Sequence, residues 1–450
     1  MVVAPEARRA VVCGIDVGTT NCKVVAIDRD GAVVSRVARV TPRSESDLSI
    51  DAKALLLVLE GMLIEVCGEE FAIAALAVAG IGEDGVLADT DLDPVGSALA
   101  WFDPRRRRLF RDLKAELPSD PDGLGVGTDS SRTIVGWLWA TSQPGNDRAA
   151  TWLALSDYAA AVWSSKPFMS DTLAARTSAW LPGSRTWIED RVVRTLHDAR
   201  LLPEVIRTGD IVGPVTSSRL RKAGVLLPEA MVVAGGHDHP IGGWGVSLLH
   251  DGAILDSMGT AEVIVAQSTC ADFALDGGID VEPGIRSTGT TLLRVEELSR
   301  NIDWASQDPD VSAALVSLIS GEVSPDPFFA SPTFIAGARG GERPRYARDA
   351  PRSALSRASA VLGALARLGD SAIDAVAEVM PAEAAVYAAG GWSRSEGWMR
   401  AKQAVSNRQI RVVDEPEVTA VSVALLAGTA IGWPVPAAAA LSGTGQQKAI

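Results

Sequence analysis

The sequence predicts an α/β protein of two domains that face each other across a cleft. Apolar strand-like runs alternate along the chain with stretches of helical apolar spacing, which is the pattern of an α/β fold. A unit of apolar strand, Gly-Thr turn and apolar strand occurs near the start, GIDVGTTNCKVVAID, and returns past the middle, DGAILDSMGTAEVIVAQ. Two such units suggest two related halves. The length of 450 residues suits two or three domains at roughly 100–200 residues each. No low-complexity linker intervenes, so the halves are expected to pack closely, with the boundary near 246–252 and domains of 1–248 and 249–450.

Each element follows from its local pattern. AVVCGIDVG, TTNCKVVAID and GAVVSRVARV read as three successive strands of a meander whose first turn is polar and contains glycine. Residues 52–68, AKALLLVLEGMLIEVCG, place apolar side chains at helical spacing. FAIAALAVAGIG is a continuous apolar run ending at Gly82, as expected of a strand covered on both faces. The middle, about 105–230, reads as helical and irregular and holds Trp137, Trp139, Trp152, Trp163, Trp180 and Trp187. MVVAGGHDHPIGGWGVS reads as strand, tight polar turn and Gly-rich helix start. After the second Gly-Thr hairpin, AAVYAAGGWSRSEGWMRAKQAVSN reads as strand, Gly-Gly turn and helix, and RQIRVVDEPEVTAVSVALLAGTAIG as strand, loop and helix. No charged residue occurs from Val418 to Gly445, but Gly428, Gly432, Pro434 and Pro436 interrupt the run. A membrane span needs about 20 unbroken apolar residues, so a buried helix followed by a loop is expected.

Composition excludes several classes. Apolar residues make up 47% and charged residues 22%, enough for a sizeable core. Lys and Arg number 42 against 56 Asp and Glu, a net charge of −14. That balance argues against nucleic acid or an anionic membrane surface as partner, while leaving room for a small anion in a local pocket. Cys13, Cys22, Cys67 and Cys270 form no CxxC pair and no Cys/His cluster with zinc spacing. A reducing compartment is expected. The first residues, MVVAPEARRAVVCGIDVG, make a poor signal peptide because Asp16 cuts the apolar run short. A cytoplasmic protein is the expectation.

Five short constellations carry chemistry. In Gly14-Ile15-Asp16-Val17-Gly18-Thr19-Thr20-Asn21 the glycines permit close approach, and backbone N–H groups and threonine hydroxyls can donate to phosphate oxygens. Asp16 could hold Mg²⁺ directly or through water; the alternative is an ordinary Gly/Thr turn with a surface carboxylate. Gly259-Thr260, preceded by Asp256 and Ser257, repeats that form. Ala389-Gly390-Gly391-Trp392-Ser393-Arg394-Ser395 is a glycine turn into a helix, against which a base or phosphate could lie. In Gly235-Gly236-His237-Asp238-His239, two imidazoles flank a carboxylate. In a strand, His237 and His239 share a face while Asp238 points away, and no third metal ligand is evident. Asp238 therefore reads as a general base that accepts the proton of an attacking hydroxyl, with the histidines shaping its pocket; the alternative is a cap for the helix starting near Pro240. Glu83-Asp84, with Trp101-Phe102-Asp103-Pro104-Arg105 beyond, offers acids beside an aromatic wall, suited to a polyhydroxylated ligand. Arg106 to Arg108 are expected on a solvated helix face.

These pieces, in this order, resemble the FGGY family of carbohydrate kinases. GIDVGTTNCKVVAID resembles its N-terminal phosphate motif, and AVAGIGEDGVLADTDLDPVGSALAWFDPR its sugar-contact segment. LLPEVIRTGDIVGPVT, GGHDHPIGGWG, DSMGTAEVIV, GGERPRYARDAP and AAGGWSRSEGWMRAKQAVSNRQIRVVDEPEVTAVSVALLAG match later family segments in order, from about 11 to 432. The resemblance implies two ribonuclease-H-like (actin-like ATPase) domains with an interdomain cleft, ATP mainly on the C-terminal domain and sugar on the N-terminal one. By position, Asp238 would be the base and Asp16 the Mg²⁺-linked carboxylate. Thr19, Thr20 and Asn21 would lie near the transferring phosphate, Gly259 and Thr260 at the nucleotide phosphates, and Gly390, Gly391 and Ser395 at the adenosine. Glu83, Asp84, Trp101, Asp103 and His239 would touch the substrate.

The implied activity is transfer of the γ-phosphate of ATP to a hydroxyl of a small neutral sugar or polyol. Free acids at 83 and 84 would repel an anionic sugar phosphate. Xylulose kinases typically carry Met-His there and glycerol kinases Arg-Glu, and neither pair is present. Ile134 and Ala140 stand where the family's mid-chain signature usually has Lys and an acidic or amide residue. A homodimer follows by family analogy alone. Two other classes are an actin-like ATPase that needs no sugar, and a sensor that has lost catalysis. Sugar-independent ATP turnover would mark the first.

Overall fold

The computed structural model describes residues 8–44, 48–117, 130–269, 278–286, 289–338, 343–380, 383–434 and 436–443. Cys270 and residues 340–342 of the GGERPRYARDAP loop fall outside them. Two units emerge: Met1–Gly245 with Glu282–Thr288 and Thr419–Ile450, and Val246–Val281 with Gly289–Val418.

The first unit opens with the meander β1 (Arg9–Val17), β2 (Asn21–Ile27) and β3 (Val33–Val40), followed by α1 (Ala52–Cys67) and β4 (Phe71–Gly80). Then come α2 (Arg105–Glu116), α3 (Leu155–Ser164), β5 (Ile211–Pro214), β6 (Leu226–His237) and α4 (Asp238–Ser247). The sheet order is β5-β6-β4-β1-β2-β3, with β4 parallel to both β1 and β6 and the meander antiparallel. β4 is buried along nearly its whole length, as its unbroken apolar run demands. α1 buries Leu55, Leu59, Met62, Leu63 and Val66 at helical spacing, and its N-cap Asp51 accepts from the amides of Lys53 and Ala54.

The second unit repeats this topology. Its strands are β7 (Ile254–Met258), β8 (Ala261–Ser268), β9 (Ile279–Pro283) and β10 (Thr290–Glu297). After the long helix α5 (Ala354–Ala377) come β11 (Val386–Ala389), α6 (Glu396–Val405) and β12 (Ile410–Val412). The order is β9-β10-β8-β7-β11-β12, again three antiparallel strands next to parallel ones. Two meander-plus-parallel sheets from one chain make this an α/β fold of two ribonuclease-H-like halves.

The uncharged C-terminal stretch forms the buried helix α7 (Val418–Ala430). From Thr419 on it joins the first unit, so the chain does not divide by a single cut between 248 and 249. Glycine makes this possible. A Cβ on Gly14 would lie 2.0 Å from the Ala420 carbonyl oxygen, and one on Gly245 would lie 1.8 Å from the Ser422 hydroxyl oxygen. The middle region, expected to be helical and irregular, also contributes Thr151–Ala154, which pairs antiparallel with Gly85–Ala88 upstream of it. A separate apolar cluster around Trp137, Trp152 and Trp180 fills the space beneath that pair. No helix among the described residues is long and apolar enough to cross a membrane.

Candidate active site

The Gly235-Gly236-His237 segment ends β6, and α4 begins at Asp238. Gly236 has φ +142°, and a Cβ there would lie 2.1 Å from the Thr172 hydroxyl oxygen. Thr172 in turn accepts the His237 amide hydrogen at 3.1 Å. The strand therefore ends one residue before the carboxylate, which overturns the expectation that Asp238 points away from the two imidazoles. One donor atom from each of His237, Asp238 and His239 gathers within 4.8 Å. Asp238 Oδ1 lies 3.4 Å from His237 Nε2 and 3.8 Å from His239 Nε2, and accepts from the His239 amide at 2.8 Å. Two of these three donors are imidazoles, whereas Mg²⁺ prefers oxygen ligands, so the cluster does not suit Mg²⁺.

Behind Asp238 the network is buried. His237 Nδ1 lies 3.0 Å from each carboxylate oxygen of Glu282. Arg176 lies 3.5 Å from Glu282 through Nη1 and donates from Nε to Glu83 at 3.0 Å, with a second, Nη2 contact to the same Glu83 oxygen. Burial opposes charge on His237, but Glu282 outweighs it and raises the pKa above the ordinary imidazole value. For His239 burial wins over Asp238, and the pKa falls.

The expected sugar-contact acids are each held by an arginine. Glu83 pairs with Arg176. Asp84 is fully buried beside Arg106 at 3.5 Å, and its Oδ2 has no hydrogen-bond partner among the described residues. Burial pushes the Asp84 pKa up to about 7, with Arg106 opposing. Asp103 is buried and chelated by Arg105, which donates at 2.9 Å from Nε and 2.7 Å from Nη2. Burial works against its charge, but the Arg105 guanidinium and amide hold its pKa below the usual range. A guanidinium beside each of Glu83 and Asp84 offsets the negative charge expected there to repel an anionic sugar.

Arg106 is a second correction. It is 1% exposed rather than solvated, and its guanidinium donates to the carbonyl oxygens of Glu83, Leu99, Ala100, Ser131 and Arg132. A planar group with five donors can tie three loops at once. Arg107 and Arg108 are exposed, as expected.

The turn after β1 meets the aromatic segment. Trp101 Nε1 donates to Thr19 Oγ1 at 3.0 Å, and Arg43 donates to the Thr19 carbonyl from Nη2 at 2.9 Å. Thr20 and Asn21 are exposed beside them. Asp16 is nearly buried at the end of β1, with Lys23 Nζ at 3.6 Å. Its hard carboxylate in an open hydroxyl-rich turn is chemically suited to Mg²⁺, which takes one or two carboxylates, waters and substrate phosphate oxygens.

In the second unit, Gly259 and Thr260 are exposed at the tip of the β7-β8 hairpin. Gly390 has φ +91°, and a Cβ there would lie 2.3 Å from the Met258 carbonyl oxygen. The Gly390-Gly391 turn thus abuts the Gly259-Thr260 turn. Ser395 caps the short turn after Gly391 and starts α6. A surface hollow of about 410 Å³ lies beside this turn, lined by Ser393, Arg394, Met399 and Ile410 among others.

The family model described as the FGGY family of carbohydrate kinases, N-terminal domain, matches residues 11–245. The chain belongs to the FGGY family of carbohydrate kinases. It is accordingly a phosphotransferase that uses ATP and a hydroxyl acceptor on a sugar or polyol. The kinase is 27% identical over 445 residues to a xylulose kinase of Streptomyces coelicolor, covering 93% of this chain and 87% of that one. It is 24% identical over 327 residues to an L-fuculokinase of Escherichia coli K12, covering 67% and 68%. The solved xylulose kinase of Rhodospirillum rubrum matches with a TM-score of 0.80 at 19% identity, covering 96% of this chain and 92% of that one. A Plasmodium falciparum glycerol kinase with ADP gives 0.80 at 16% identity, covering 98% and 94%. These structural likenesses bear on the fold alone.

Several residues of this FGGY kinase carry no sequence signal. Arg176 and Glu282 lie 93 and 45 residues from their partners Glu83 and His237, and neither sits in a motif. Lys402 does leave a trace: it lies one helical turn after the buried Trp398, on an inward face where a lysine needs counter-charges. In the sequence Gly82 marks only the end of an apolar run. A Cβ there would lie 2.9 Å from both Arg176 Cγ and His237 Cδ2. Gly82→Ala is expected to displace both side chains and lower kcat by about tenfold, read by steady-state kinetics. An unchanged kcat would mean that the network absorbs the methyl group.

Proposed function

We propose that the kinase transfers the γ-phosphate of ATP to a small neutral sugar or polyol, a ketose, pentitol or tetritol, with Asp238 as general base. The observation that carries this reading is the position of Asp238: its side chain is 24% exposed at the start of α4, while the groups behind it are buried. With Oδ1 engaged by the His239 amide, Oδ2 is the oxygen for the acceptor proton. Trp101, His239 and Glu83 would line the acceptor site; Asp84 and Asp103, turned to their arginines, would hold its walls. Thr19, Thr20 and Asn21 would donate to the transferring phosphoryl group. Gly259 and Thr260 would receive the nucleotide phosphates on backbone amides, and Gly390, Gly391 and Ser395 the adenosine.

Asp16 would hold Mg²⁺, which when bound neutralises charge on the phosphate oxygens. Catalysis by this chain's own groups then consists of orienting the hydroxyl, accepting its proton and excluding water. The relatives are a xylulose kinase and an L-fuculokinase, which puts ketoses first in a search. A homodimer and a cytoplasmic location complete the reading, the first from family analogy and the second from cysteine usage.

The test is ADP release from Mg-ATP in a coupled assay across ketopentoses, ketohexoses, pentitols, tetritols and glycerol. One acceptor class should raise turnover well above the acceptor-free rate. Equal hydrolysis with and without every acceptor would overturn the reading in favour of an actin-like ATPase.

A further inference from the structure

The base does not stand alone. Directly behind it is a buried imidazole that the proposed chemistry does not itself use. His237 is 4% exposed and Glu282 2%. The Glu282 carboxylate meets Nδ1 at 3.0 Å through both oxygens, and Nε2 on the other side of the ring faces Asp238 Oδ1 at 3.4 Å. The ring has little freedom: the His237 amide is bound by Thr172, and Gly82 closes against Cδ2.

We propose that Glu282 and His237 are positioning residues for Asp238, Glu282 orienting the imidazole through Nδ1–H and the imidazole holding Asp238 Oδ1 through Nε2–H, so that Oδ2 is turned to the acceptor hydroxyl. The proposal rests on Asp238 being the base. A carboxylate on the first turn of a helix can swing about two side-chain torsions, and one bond from the His239 amide fixes only one oxygen from one side. A second donor at Oδ1 removes that freedom, and a pre-oriented acceptor is worth much of the entropic cost of reaching the transition state. In the transfer step the hydroxyl proton passes to Oδ2, the acceptor oxygen bonds to the γ-phosphorus, and ADP leaves with the electrons of the broken P–O bond. His237 keeps both its protons throughout.

Holding Oδ1 while bound to Glu282 requires the imidazolium, in which both nitrogens donate. The groups facing the ring are Glu282 and Asp238, which favour its charge, and Arg176 and the neutral His239, with Arg176 opposing it. Glu83 faces His239 and is paired with Arg176. The raised pKa means that the charged form is present below the ordinary imidazole value and is lost only as pH rises through the higher one.

The experiment uses the full-length kinase, Mg-ATP and the best acceptor from the screen, with Asp238→Asn alongside. His237→Gln keeps an amide N–H near the Nε2 position, whereas His237→Asn keeps one near Nδ1 and cannot reach Asp238. The Asn variant should lose about 10²-fold in kcat with KM for both substrates nearly unchanged, and the Gln variant should stay within roughly tenfold of wild type. Glu282→Gln should move the alkaline fall in kcat to lower pH. Proton NMR of the imidazoles needs no acceptor and should show the His237 titration moving down in the same variant. If the Asn and Gln variants both match wild type while Asp238→Asn has lost activity, the base stands and the positioning proposal falls. If the His237 titration does not move in Glu282→Gln, the proposal also falls. An active Asp238→Asn would overturn the base, and this proposal with it.

Discussion

Asp238→Asn is expected to lower kcat by about 10²–10⁴-fold, the range typical for loss of a general base, and to leave KM for ATP and acceptor close to wild type. The amide is nearly isosteric and keeps an oxygen to accept from the His239 N–H, a bond that measures 2.8 Å with the native carboxylate. It cannot take a proton. The site is part-exposed, so folding should change little, and the thermal midpoint should stay within a degree or two, in line with the small effects of surface substitutions. A fall in kcat and kcat/KM together identifies an interaction made only in the transition state. What activity is left reports the positioning of the two substrates by the rest of the site. Wild-type kcat in this variant would return Asp238 to the role of a helix cap.

Lys402→Met is expected to destabilise the kinase by about 3–5 kcal/mol at neutral pH, the cost of removing one partner of a buried ion pair. Lys402 on α6 is buried, with Asp256 on β7 at 2.6 Å and a still closer contact to Glu262 on β8. One ammonium thus serves two carboxylates. Burial raises the Glu262 pKa to about 8, Asp256 adds to the rise and Lys402 opposes it. The sign follows from that. Glu262 is more readily protonated folded than unfolded, so its contribution to stability declines as pH rises from its ordinary value of 4.5 through about 8. Without Lys402 nothing offsets the buried charge, so the deficit of the variant should be largest near neutrality and shrink toward pH ~5. Urea unfolding followed by tryptophan fluorescence at several pH values measures this. A second substitution, Glu262→Gln, should restore part of the loss. A pH-independent deficit would indicate lost packing rather than uncompensated charge. Asp256 leads into the Gly259-Thr260 turn, and α6 follows the Gly390-Gly391 turn. KM for ATP should therefore rise in the same variant while KM for the acceptor holds.

Much of the fold was legible because it is written in local periodicity. The three-strand opening of the first half, the Gly-Thr hairpin that opens the second, the doubly covered strand β4 and the buried helix α7 each follow from apolar runs bounded by glycine or polar turns. The candidate site was legible only where short motifs carry it: the two Gly-Thr turns, the Gly-Gly turn and the His-Asp-His triplet. The face of Asp238 differs from the expected one because sequence period cannot show that a strand stops at His237 and a helix starts one residue later. Arg106 departs from expectation for a related reason. Its neighbours Arg107 and Arg108 are exposed, and nothing local marks the one arginine that turns inward onto five carbonyls.

By itself, then, the sequence determined the class of fold, the order of the motifs and the candidates for binding phosphate or taking a proton, because those depend on side-chain chemistry and on neighbours a few positions away. Only the tertiary structure decided the charge state and freedom of each candidate. Glu83, Asp84 and Asp103 each gained an arginine, His237 gained Glu282, and Asp256 and Glu262 came to share Lys402. The largest perturbations here come from burial and from charges a few ångströms away. Arg176, Arg106, Glu282 and Lys402 lie far off in sequence from the groups they hold, and folding alone brings them together.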